Sequence, residues 1–171
     1  MDNQQLTING DEFDLANYAM TRIDTGAEFI LINPASGAIL RHPDKTPVTI
    51  TFVSQHSEAF RDIMREIQLN RARWRSNQPV VPVQADPLPI PYEMEQEENA
   101  MILVACCLGW NITTLGGQPF PFNAQNARKL FTDEKYVWIR LQALNFIQRD
   151  GNFLSSASRS SSASLDTASA S

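Results

Sequence analysis

The sequence predicts an α+β protein with a small N-terminal antiparallel sheet and one amphipathic helix. A Pro-rich linker, a C-terminal helical subdomain and a disordered Ser-rich tail follow. Three observations carry this reading. Strand-type patterning over the first 55 residues changes to helical spacing from Ser57. Prolines at 79, 82, 87, 89 and 91 then exclude a helix. A Ser/Ala tract closes the chain. The expected boundaries are residues 1–76, 77–92, 93–153 and 154–171.

In chain order, "AEFILINP" is a β-type run ended by Pro34, and "NPASGAIL" supplies a turn around Gly37. "TPVTITFVS" places Val48, Ile50 and Phe52 on one face and Thr49 and Thr51 on the other, the pattern of a half-buried strand. "HPDKTP" is the loop before it. Ser57 is placed to cap a helix whose apolar residues Phe60, Ile63, Met64 and Ile67 recur at i, i+3, i+4 and i+7. That stripe is expected to pack on the sheet. At the helix end, Arg71, Arg73 and Arg75 cluster around Trp74. Cations suit a helix C-terminus, and an anion or RNA contact is the alternative.

"SNQPVVPVQADPLPIPYE" reads as an extended, semi-rigid connector, with a Pro-rich recognition ligand as the other reading. "EMEQEENAMILVACCLG" opens with acidic residues suited to a helix N-terminus, and Gly109 is the expected C-cap. "WNITTLGGQPFPF" is an irregular or short hairpin segment turning at Gly116-Gly117. Asn123 is the expected cap of a short helix, "AQNARKLF". Thr132 or Asp133 is then expected to cap "EKYVWIRLQALNFIQRD", ended by Gly151, with Val137, Trp138, Leu141, Leu144, Asn145 and Ile147 on its apolar face. The Pro-Phe pairs hold the chain extended, so Phe120 and Phe122 are expected to point the same way and latch Trp110 to the final helix. The tract from Leu154 buries too little apolar area to offset its ordering entropy.

At 171 residues and 43% hydrophobic, the chain is long and apolar enough for a real core. A net charge of −5 argues against a nucleic-acid partner. "AMILVACCLGW" is too short for a membrane span, and the polar start "MDNQQLTING" does not read as a signal peptide. The only cysteines, Cys106 and Cys107, adjoin each other in an apolar run and read as small core residues in a reducing compartment.

The sequence offers no catalytic, cofactor-binding or metal-binding constellation. His42 and His56 have no partner near them in sequence. "TLGGQ" lacks the Lys-Ser/Thr of a phosphate loop. The carboxylates of "DEFD" and "EMEQEE" suit helix starts and solvated faces. The expectation is a protein without enzymatic activity and without a cofactor.

Two blocks in fixed order carry a family likeness. The first is "NPASGAIL", then "PVTITFVSQHSEAFRDIMREI": a Pro-x-x-Gly turn, a strand, and a Ser opening a helix with Phe60-Arg61. The second is "LGWNITTLGGQPFPFNAQNARKLFTDEKYVWIRLQALNFIQRDGNFL". It contains a Gly-Trp, a Gly-containing turn, an Asn-capped helix, a final helix and a closing Asn-Phe. Over residues 25–154 this arrangement resembles the tail assembly chaperones of long-tailed bacteriophages. The double Pro-Phe and the low-complexity C-terminus depart from that pattern.

The resemblance implies a non-enzymatic assembly factor in the infected host's cytoplasm, absent from the finished virion. Its partners would be the phage tape measure protein, a long helical client with apolar stretches, and the tail tube protein. Such a protein needs an apolar groove of limited size that takes its helical client in the helix-in-groove mode, and self-association is compatible with the role. The candidate partner-binding residues are Trp110, Phe120, Phe122, Tyr136, Trp138 and Phe146, each of which is also a natural core residue. The alternative is a minor structural protein of the virion, in the tail or connector.

Overall fold

Ala27, Phe29 and Leu31 are buried while Glu28, Ile30 and Ile32 face outward, the period-2 signature of strand β1 (Ala27–Ile30). The computed structural model describes residues 16, 19–78 and 88–154 and is mixed α+β. β1 pairs antiparallel with β2 (Thr49–Phe52), with Phe29 opposite Ile50. On its other side β2 pairs antiparallel with β3 (Cys107–Trp110), giving the order β1-β2-β3. Gly26, at φ +83°, lets the chain enter β1 closely packed. A Cβ there would stand 2.9 Å from Leu108 Cδ1 and 3.1 Å from the Phe52 carbonyl oxygen.

Helix α1 (Glu58–Ser76) starts where Ser57 Oγ accepts from Phe60 N at 3.2 Å, as its position in the sequence predicts. Its principal contact is α2 (Tyr92–Cys106), not the sheet, which corrects the expectation from its apolar stripe. The apolar content of the "AMILVAC" segment explains the correction. It makes α2 a central helix that also packs against α3 (Ala124–Thr132) and α4 (Val137–Ile147). Between α1 and α2, Arg71 donates to both oxygens of the buried Glu98, at 2.8 and 2.5 Å. The first residue of "RARWR" is thus bound within the fold, while Arg73 and Arg75 stay exposed in the last turn of α1.

Gly109 does not cap α2. The helix stops at Cys106 and the chain continues straight into β3, where Gly109 sits opposite Thr51. The segment expected to be a helical subdomain therefore supplies the third strand of the sheet. Buried residues from 1–76 (Phe29, Ile50, Phe52) and from 93–153 (Leu103, Phe131, Ile147) form one cluster. Within it Phe52 lies 6.0 Å from Phe131 and 6.1 Å from Phe29, ring centre to ring centre.

The Gly116-Gly117 turn is present, with both residues at positive φ (59° and 77°), joining β4 (Thr114–Leu115) to β5 (Gln118–Pro119). Asn123 caps α3 as expected, its Oδ1 accepting from Asn126 N at 2.8 Å. Asp133 caps a short 3-10 turn, Glu134–Tyr136, and α4 begins only at Val137. α4 ends at Ile147, and Gly151 lies inside a second 3-10 turn, Asp150–Phe153. The buried face of α4 is Ile139, Arg140, Ala143 and Ile147, whereas Val137 and Leu141 point to solvent. With apolar residues all round this helix, spacing alone did not select the inner face.

Only residues 77–78 and 88–92 of the expected linker, and Leu154 of the expected tail, are described. Residues 79–87 and 155–171, on which the rest of both expectations falls, lie outside the described residues.

Candidate partner-binding surface

The six aromatic candidates separate into different environments. Trp110 stacks on Phe120 with ring centres 5.3 Å apart and an angle of 2°, and meets Phe122 edge-on at 5.1 Å and 81°. The indole Nε1 donates to the Phe120 carbonyl at 3.0 Å. Phe120 is buried at 3% exposure and Phe122 is 39% exposed, so the two do not share one environment. The two rings close around Trp110 on two sides and do not point the same way, which corrects the expectation from the proline spacing. Tyr136 and Trp138 are half-buried against the main core.

Phe146 belongs elsewhere. It packs on Phe29 at 5.3 Å and on Phe153 at 5.6 Å, and one side of its ring lines a cleft between β1 and α4. This cleft has a volume of about 540 Å³. Phe29, Ile30, Ile32 and Phe146 form its apolar wall, and Gln142, Asn145, Arg149 and Asn152 stand along the helical side. Ile30 and Ile32 are 39% and 41% exposed, so an apolar segment placed here gains contact area that water now occupies. Among the described residues neither Arg149 nor Glu28 has an ion-pair partner within 4.0 Å.

Register explains why the cleft has this character. Glu28, Ile30 and Ile32 share the outward parity of β1 and its extension, so a strand that otherwise buries Phe29 and Leu31 also presents two isoleucines outside. Sequence reasoning took "AEFILINP" as a strand and passed over this outward pair. The signal was the unbroken apolar run Phe29–Ile32, where a surface strand alternates with polar residues. The residues of α4 that complete the cleft carry no such signal.

Two further features bear on chemistry. His56 Nε2 lies 3.0 Å from Asp150 Oδ1, and the Gln55 amide donates to the same oxygen at 3.0 Å. The Gln55 and His56 hydrogen bonds hold the Asp150 carboxyl below the ordinary carboxylate range. This cluster joins the start of α1 to the second 3-10 turn across 94 residues of sequence. Burial pushes both Cys106 and Cys107 up to about 12, so their thiols are neutral at physiological pH. Among the described residues no group of three or more His, Cys, Asp or Glu side chains is arranged to hold a metal. No helix there is long and apolar enough to cross a membrane. The chain matches no protein-family model, no curated protein and no solved structure.

Proposed function

We propose that this chain is a non-enzymatic tail assembly chaperone of a long-tailed bacteriophage, acting in the host cytoplasm. In this reading it holds an apolar segment of the tape measure protein in the β1–α4 cleft until tail tube subunits take its place. The observation that carries the proposal is the cleft itself: an apolar wall of Phe29, Ile30, Ile32 and Phe146 faced by amides and one cation. The ordered blocks of the sequence add the likeness to the family. Size supports a transient role. Covering two isoleucines that are already more than half buried contributes only about 2 kcal/mol between them, which suits a client that is later released.

Co-expression tests this directly. The tape measure protein of the same phage is expected to stay soluble with this chain and to precipitate without it. Equal precipitation in both cases contradicts the proposal. Stoichiometric amounts of the chain in purified virions would also contradict it, and would favour a structural component of the tail or connector.

A further inference from the structure

We propose that the β1–α4 cleft takes its partner as an extended strand added to the outer edge of β1, which no strand among the described residues covers, and not as a helix. This deepens the functional reading above and rests on it. The register supports the strand mode. Leu31 N donates to the Val48 carbonyl at 3.0 Å, so Leu31 belongs to a hydrogen-bonded pair of the β1–β2 ladder. Antiparallel pairs alternate, which makes Ala27/Phe52 and Phe29/Ile50 the other bonded pairs. The N–H and C=O groups of Glu28 and Ile30 consequently point away from β2, along the edge that borders the cleft. β2 shows the complementary parity: its Thr49 carbonyl accepts from Asn111 N on the β3 side at 3.2 Å.

One rung of such a strand is already imitated. Gln142 on α4 reaches across and donates its Nε2 to the Ile32 carbonyl at 3.0 Å, as a peptide N–H of a neighbouring strand would. Glu28 and Ile30, the next outward positions, line the same cleft. An added strand there would lay alternate side chains on Phe146 and turn the others to solvent. Charge selects its composition. Arg149 and Glu28 line the cleft without an ion-pair partner among the described residues, so the matching segment carries a carboxylate facing Arg149 and a cation facing Glu28. The occupant is therefore an extended segment of a client, with apolar residues at alternate positions, one acidic residue and one basic residue.

The probe is a capped synthetic peptide alternating Thr and Val with one Asp and one Lys, titrated into the full chain and followed by amide NMR. The backbone amides of Glu28 and Ile30 are expected to exchange about tenfold more slowly or slower still. The Ile30→Pro variant removes one outward N–H that the β1–β2 ladder does not use, and is expected to weaken binding about tenfold. A second peptide, N-methylated at alternate residues, keeps every side chain and is expected not to bind. Equal binding of the methylated peptide overturns strand addition, as does preferential binding of a helix-locked peptide in the same cleft; both leave the cleft's role intact. If the tape measure protein itself leaves the cleft resonances unmoved, the functional reading fails with it.

Discussion

Arg71 and Glu98 show how little of a residue's role its own neighbourhood in sequence reveals. Arg71 looked like one of three solvated cations, but 27 residues later Glu98 is buried on α2 and takes both of its hydrogen bonds. The same hydrogen bonds raise the guanidinium further above its ordinary value, so it stays charged at any ordinary pH. Replacing Arg71 with Met leaves a buried carboxylate unpaired. With partial solvent access to the arginine side, the expected cost is about 2 kcal/mol, read as a lower urea midpoint. Adding Glu98→Leu to that variant is expected to recover most of the loss.

The cysteines, by contrast, were legible, because an apolar run of that density has nowhere to go but inward. Their reactivity tests their burial. In the folded chain iodoacetamide is expected to label Cys106 and Cys107 no faster than the chain unfolds, since the thiolate is the nucleophile. Burial, with Cys107 adding to it at Cys106, raises both from 9.0 to about 12. A raised folded value stabilises the fold fully below 9.0, and that contribution is lost as pH rises from 9.0 towards 12. Denaturant midpoints measured across that window are expected to fall, and to fall less in Cys106→Ala with Cys107→Ala.

Elements with a local start signal were found at that signal. Ser57 and Asn123 each bind the N–H three residues on, which is chemistry contained within four consecutive residues. Endings and faces depend on partners far away in sequence, and these were misread. Gly109 is drawn into β3 by Thr51, and the inner face of α4 is chosen by α2 and α3.

Arg140 fixes that face. Buried on α4, its Nη1 donates to the Phe131 carbonyl in the last turn of α3 at 2.9 Å, and its Nη2 donates to Gln96 Oε1 on α2. One side chain thus ties three helices together and satisfies a carbonyl that α3 leaves open at its end. Arg140→Met keeps much of the length and loses the donors, stranding the buried Phe131 carbonyl and the Gln96 side chain. The expected cost is about 2 kcal/mol. Asn123→Ala, which removes one exposed cap, is expected to cost only about 1 kcal/mol. Thermal unfolding of the two variants side by side checks the order.

At the scale of the molecule, the fold class was readable because the change from strand-type patterning to helical spacing survives any error of detail. The shared core was not readable. It depends on β3 returning to the sheet after α2, and on phenylalanines at 29, 52, 131, 146 and 153 that meet only in three dimensions. The same convergence makes the cleft. α4 packs its inner face on the core and leaves Gln142 and Asn145, with Arg149 just beyond its end, beside the outer edge of β1. Of the six aromatics picked out from the sequence, the structure brings Phe146 alone to the wall of this cleft.

Because Ile32 is 41% exposed, Ile32→Asp is expected to lower the melting temperature by only a few degrees while abolishing rescue of the tape measure protein in co-expression. Phe146→Ala is a poor substitute, since it opens the aromatic core as well.

The most direct measurement is site-specific photocrosslinking in the complex with the tape measure protein. A photoreactive side chain is placed in turn at Ile32, in the cleft, and at Leu69, a more exposed apolar site on α1. Crosslinks to the client from position 32 and none from position 69 are the expected result. Crosslinks from position 69 with none from position 32 would contradict the assignment of the β1–α4 cleft as the client site.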